Sequence, residues 1–234
     1  MRNQTAPAAP VPTAARRPGR PRGGQPAVDR AQLLAAAERV IRAVGPDATL
    51  EAIAAQAAVT KPTLYRGVGD KDALVQALAE RFVDRIIEAV GDAVARATEP
   101  RAQLRALVAA YLEVVERDRA LYLYVTAGGS SDDRLRQALH LADRSASPIA
   151  EQLAAQRAAG GADPSVAVVW SYGLIGMLHY VTLWWLREPV VDRDRLADQV
   201  TELMWSGLGG DAGAPRRRRP WPGVSGRSRG VAQR

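Results

Sequence analysis

Lys61, Thr63 and Arg66 place an ammonium, a hydroxyl and a guanidinium on one short segment. Such donors bond the base edges of a DNA major groove, where each base pair presents its own pattern of acceptors and donors. Leu64 and Val68 supply an opposite, apolar side, with Ile53, Ala54, Ala57 and Val59 just upstream. A polar, basic face backed by an anchoring face is what a helix laid in a groove requires. Thr49, Thr60 and Lys71 stand at the starts of three expected helices, where free N–H groups and the helix dipole favour a phosphate. The Tyr65 hydroxyl can donate to a phosphate while its ring packs. Other chemistries lack their residues. The absence of cysteine removes disulfides, thiol nucleophiles and cysteine-ligated zinc. Two histidines, His140 and His179, are too few for an imidazole-rich metal site. No glycine loop cradles a phosphate and no nucleophile–base pair stands out, so the chain is not read as an enzyme, and no metal or cofactor is expected.

These side chains need helices to hold them. Leu33, Leu34, Ala37, Val40, Ile41 and Val44 recur at helical spacing, which predicts a first helix from Arg30 to Val44, capped by Asp29 and ended by Gly45-Pro46. Thr49 caps a short second helix, Leu50 to about Ala57. After a tight turn Thr60 caps a third, Lys61 to Arg66, with Pro62 in its first turn and Gly67 and Gly69 as terminators. Two short helices across a three-residue turn, supported by a first helix, make a helix-turn-helix. Asp70 caps a long helix from Lys71 to about Ala97. Further helices are predicted near 101–117, 119–127, 132–159 (broken or kinked around Pro148), 164–187 and 192–207. No window alternates with period two, so the predicted fold class is all-α, about nine helices, with no sheet.

Charge separates the ends from the middle. Residues 1–28 carry five Arg and no acid, and residues 212–234 carry seven Arg and no acid. The segment between them holds 20 basic and 25 acidic residues, so the net charge of +7 belongs to the ends. Basic arms on a mildly acidic body suit contact with a polyanion, or serve only as solubilising ends. Within the first arm, Arg16-Arg17-Pro18-Gly19-Arg20-Pro21-Arg22-Gly23 resembles an AT-hook, which would lay Arg17, Arg20 and Arg22 in the narrow minor groove of A·T-rich DNA. The expected division is a disordered basic arm at 1–28, a DNA-binding domain at 29–75, a helical domain at 76–208 and a disordered basic tail at 209–234.

One further pattern is specific. The segments Ile53-Ala54, Ala57-Ala58-Val59-Thr60-Lys61-Pro62-Thr63-Leu64-Tyr65 and Lys71-Asp72-Ala73-Leu74 resemble the DNA-binding domain of the TetR family of one-component bacterial regulators. The resemblance at motif level runs over residues 33–75. It implies that Lys61, Thr63 and Arg66 touch bases, that Pro62 meets a thymine methyl, and that Thr49, Thr60, Tyr65 and Lys71 hold phosphates. It also implies a double-stranded operator, a cytoplasmic, nucleoid-associated setting, and a second helical domain that dimerises and binds a small molecule. A dimer sets two recognition helices about 34–36 Å apart, which makes the operator palindromic. The expected activity is a repressor released by its ligand, with an activator or a ligand-independent regulator as the alternative.

Three departures bear on the motif. Ala58 replaces the usual turn Gly and would be strained at positive φ. Gly67-Val68 replaces an aromatic-ended pair, and Glu51 stands where a family repressor carries a basic base-contacting residue. An acid there accepts from cytosine or faces solvent.

In the second domain Tyr111, Tyr122, Tyr124, Trp170, Met177 and His179 are the candidate pocket residues, suited to an apolar or aromatic effector, although core or dimer packing is the more ordinary role for each. Val166 to Leu186 holds 21 residues without a charge, enough to span a bilayer. Ser171, Tyr172, His179 and Thr182 interrupt it and no positive-inside pattern frames it, so a membrane tether remains only a remote alternative. The helices near 164–187 and 192–207 are expected to build the homodimer interface, with Gly173 and Gly176 allowing close approach.

Overall fold

The computed structural model describes residues 29–127 and 131–208. The arm with Arg17, Arg20 and Arg22, and the tail from 209, lie outside the described residues. Nine α-helices and no strand are found among the described residues. They are α1 (Arg30–Val44), α2 (Leu50–Gln56), α3 (Lys61–Val68), α4 (Lys71–Ala95), α5 (Pro100–Arg117), α6 (Arg119–Ala127), α7 (Ser131–Ala159), α8 (Ala167–Arg187) and α9 (Arg193–Leu208). Single 3-10 turns at Gly45–Asp47 and Pro164–Val166 precede α2 and α8.

Local chemistry accounts for the starts of α1 to α4. Asp29 accepts from the Ala31 N–H (3.1 Å), Thr49 from Ala52 (3.2 Å), Thr60 from Thr63 (3.4 Å) and Asp70 from Ala73 (2.8 Å). Each bond satisfies a backbone donor that has no partner inside the helix. Two expectations need correction. Gly67 does not end α3, which runs to Val68 and is closed by Gly69 at φ 87, whose N–H donates to the Tyr65 carbonyl at 2.9 Å. Only Gly69 stands where a left-handed conformation completes the last turn. Helix α7 runs through Pro148 without interruption. Packing along α8 and against α4 offsets the one backbone bond that proline removes.

Helices α1 to α3 form a head around Leu33, Ile41, Ile53 and Leu64, all at most 1% exposed. Helix α4 begins in that core through Leu74 and Leu78 and then runs on into the body, where it packs along α5, α6 and α7. Head and body therefore share one unbroken helix of 25 residues, about 38 Å long. Val108, Leu112, Val115 and Leu121 close the body core. Helix α9 lies on α5, and Arg101–Glu202 and Arg105–Asp198 ion pairs cross the shallow groove between them. The segment Pro164–Arg187 is long and apolar enough to cross a membrane by length and composition, with a mean hydropathy of 1.5.

Candidate nucleic-acid interface

Helices α2 and α3 meet across the turn at 57–59, where Ala58 takes φ 53. It is the one non-glycine residue with positive φ among the described residues. A Cβ in that region costs about 1–2 kcal/mol, and the buried anchors Ile53, Ala54 and Leu64 on either side hold the turn closed against it. Gly67 explains how closely α3 can lie on α1. A Cβ there would stand 2.3 Å from Leu33 Cδ1, and Leu33 is wholly buried. The missing side chain is thus a packing requirement of the head.

The outer face of α3 presents Lys61, Pro62, Tyr65 and Arg66 to solvent, with Thr63 half-buried and Tyr65 40% exposed. These groups are already bonded to one another. The Thr60 and Thr63 hydroxyls lie 2.9 Å apart, and Arg66 donates to the Thr63 hydroxyl at 3.1 Å. The Lys61 ammonium donates to the Glu51 carboxylate, joining α2 to α3. That hydrogen bond holds the Glu51 carboxyl below its ordinary range and Lys61 above its own. Glu51 is therefore neither free nor simply solvated. Spacing within one helix could not reveal this pair, because its members sit on two helices. Thr49 and Lys71 are exposed at the starts of α2 and α4, separate from this bonded cluster.

Behind the head, α4, α5, α6, α7 and α8 enclose a cavity of about 860 Å³. One face of α4, from Ala79 to Ala95, lines it for about 24 Å. Of the six pocket candidates, Tyr111, Tyr122 and His179 line this cavity. Tyr124, Trp170 and Met177 do not. Tyr124 is buried in the core, Met177 packs against that core, and Trp170 stacks beneath the Arg157 guanidinium at 4.5 Å. On α8 the cavity takes Tyr172, Gly176 and His179, whereas Trp170 and Met177, seven apart, follow another stripe. Sequence reasoning sought aromatic residues and missed Phe82, Ile86 and Val90 on α4, whose helical spacing was the available signal.

Residues 33–78 match the family described as bacterial regulatory proteins, tetR family, and residues 89–218 match the tetracyclin repressor-like C-terminal domain. The chain belongs to the TetR family. It is a DNA-binding transcriptional regulator of the helix-turn-helix type. It is 28% identical over 185 residues to an uncharacterized HTH-type transcriptional regulator of Mycobacterium tuberculosis, which covers 77% of each chain. It is 27% identical over 182 residues to the HTH-type transcriptional activator FasR of Mycolicibacterium smegmatis, across 76% of this chain and 82% of FasR. The fold matches that of FadR from Bacillus subtilis, solved in complex with stearoyl-CoA, with a TM-score of 0.61 at 19% identity, over 76% of this chain and 98% of FadR.

In this TetR family member an ionic cluster joins head to body. Glu38 on α1, 5% exposed, meets Arg42 (3.1 Å), Arg81 (3.4 Å) and Arg85 (2.9 Å). Asp118, just before α6, meets Arg42 at 2.7 Å and Arg85 at 3.9 Å. Burial pushes the Asp118 carboxyl up, but the Arg42 hydrogen bond and the charges of Arg42 and Arg85 outweigh it and hold it below its ordinary value. Arg85 also lies over the Phe82 ring (5.5 Å), and Phe82 contacts Tyr122 (5.9 Å between rings). Phe82 and Tyr122 both line the cavity. The TetR-type head is thus tied to the cavity wall through Phe82, Arg85 and Glu38.

Proposed function

We propose that this TetR family regulator is a ligand-responsive repressor, a homodimer that leaves a palindromic operator when an apolar molecule fills its cavity. The observation that carries this reading is the sharing of α4, whose first turns anchor the head and whose later turns line the cavity. A ligand that prefers one setting of α4 necessarily biases the head, through the same helix and the Glu38–Arg85 contact. Residues 29–75 act as the DNA-binding unit and 76–208 as the effector and dimer unit. Lys61, Thr63 and Arg66 read bases, Pro62 meets a thymine methyl, and Thr49, Thr60, Tyr65 and Lys71 hold phosphates. Arg17, Arg20 and Arg22 add minor-groove contacts. The homodimer forms through α8 and α9, where Val169 is 72%, Tyr180 74% and Leu203 60% exposed in the single chain. Apolar exposure on this scale favours a partner surface. The setting is the cytoplasmic nucleoid.

FadR, solved with stearoyl-CoA, supports an effector that carries a long acyl chain. FasR, named as an activator, supports a second reading in which the bound dimer promotes transcription. Selection of binding sites from a random DNA pool at about 150 mM salt tests the core of the proposal. A single palindrome is the expected outcome, and A·T-rich tracts alone would sink it. A reporter driven from the selected operator then separates the two readings, since deletion of the regulator raises expression for a repressor and lowers it for an activator.

A further inference from the structure

The cavity's lining carries a chemical signature. Among the described residues no Lys, Arg, Asp or Glu lines it. Its polar groups include a bonded row. The Tyr111 and Tyr122 hydroxyls lie 3.2 Å apart, and the Tyr122 hydroxyl lies 2.8 Å from His179 Nδ1. A phenol is the better donor of that last pair and an imidazole nitrogen the better acceptor, so we assign the proton to Tyr122. Burial holds the His179 imidazole below its ordinary pKa and the Tyr122 phenol above its own, which keeps both neutral near pH 7. A neutral imidazole that accepts at Nδ1 carries its proton at Nε2. The Nε2–H of His179 has no partner among the described residues.

We propose that the cavity selects an uncharged, elongated, hydrocarbon-rich molecule bearing one hydrogen-bond acceptor, the carbonyl of an ester or thioester, to which His179 Nε2–H donates. The elongated shape follows the face of α4 from Ala79 to Ala95. Exclusion of a free carboxylate follows from the described lining residues, which offer no cation to compensate a buried negative charge. A carboxylic acid could enter only after taking up a proton. For a carboxyl of ordinary pKa near 4.3, at about pH 7.5, that costs on the order of a thousandfold in affinity. The inference rests on the cavity being the effector site.

The test is calorimetric titration of the full-length protein with methyl laurate, laurate and dodecane at about pH 7.5. Methyl laurate is expected to bind at least about a hundredfold more tightly than laurate. It should also bind about tenfold more tightly than dodecane, the worth of one buried hydrogen bond. His179→Phe should remove that tenfold advantage and leave dodecane binding unchanged, whereas His179→Gln, which keeps a donor near the Nε2 position, should restore part of it. Equal binding of laurate and its ester overturns the exclusion of charge. Equal binding of ester and dodecane overturns the carbonyl contact while leaving the effector site intact. If no probe binds, and Ile86→Trp, which fills the cavity, leaves operator release in cell extract unaffected, the effector-site reading itself falls.

Discussion

The outer face of α3 and the cavity behind it solve opposite problems. The α3 face is exposed and polar, and it is bonded to itself through Thr60–Thr63–Arg66 and Lys61–Glu51. The cavity has no Lys, Arg, Asp or Glu among its described lining residues, and three of its polar groups, Tyr111, Tyr122 and His179, are bonded in one row. A surface that meets a polyanion gains from mobile charges that can be re-bonded. A cavity that meets a hydrocarbon gains from excluding charge altogether. Between them lies the Glu38–Arg42–Arg85–Asp118 cluster, in which the buried Glu38 carboxylate and the half-buried Asp118 hold partly exposed arginines at the head–body junction.

That junction offers the largest break. Glu38→Ala leaves three arginines facing one another around a buried position and should destabilise the fold by about 2–4 kcal/mol, read by urea unfolding. Glu38→Gln, with a smaller loss, should separate operator binding from ligand response, so that binding persists while release by a cavity ligand fades. Next in size is the recognition face. Lys61→Ala should relax preference at particular operator bases by about tenfold, whereas Lys71→Ala should weaken all sequences alike and lower the salt slope by about 1. Matching effects from the two variants would erase the distinction between base and phosphate contacts.

A smaller gain is expected in the turn. Ala58→Gly relieves the φ of 53 and should raise stability by about 0.5–1 kcal/mol, measured by thermal unfolding. Pure loss of stability would show that the turn is not strained. The smallest effect is electrostatic. A carboxyl held below its ordinary value stabilises the fold above about pH 4, and that contribution is lost as pH falls through the lower folded-state value. Asp118→Asn should therefore flatten the acid limb of the stability profile, and an unchanged limb would remove Asp118 from the junction's charge balance.

The starts of α1 to α4 were legible because each depends on one cap and the spacing that follows it, at Asp29, Thr49, Thr60 and Asp70. The strained turn at Ala58 was legible for the same reason. What escaped depends on contacts between elements. Gly67 reads as a terminator in isolation, and only the approach of Leu33 shows why it has no side chain. Pro148 reads as a break, and only the packing of α7 shows why the helix continues. Helix α8 is apolar nearly all round, so its sequence could not say whether His179 or Met177 faces the cavity. Glu38 and Arg42 are spaced as an ordinary helical surface pair, and nothing local announces Arg85 and Asp118 as their partners.

On the proposed assignment of Lys61 to base reading, its bond to Glu51 has a consequence for searching a chromosome. A basic face that cancels part of its own charge yields little to an arbitrary stretch of duplex, because gripping any phosphate first means giving up the carboxylate. Only a sequence that rewards both partners, an acceptor for the ammonium and a donor for the acid, repays the exchange. Against the millions of irrelevant sites in a genome, shorter dwell on each wrong site enriches the right one as effectively as a tighter grip would.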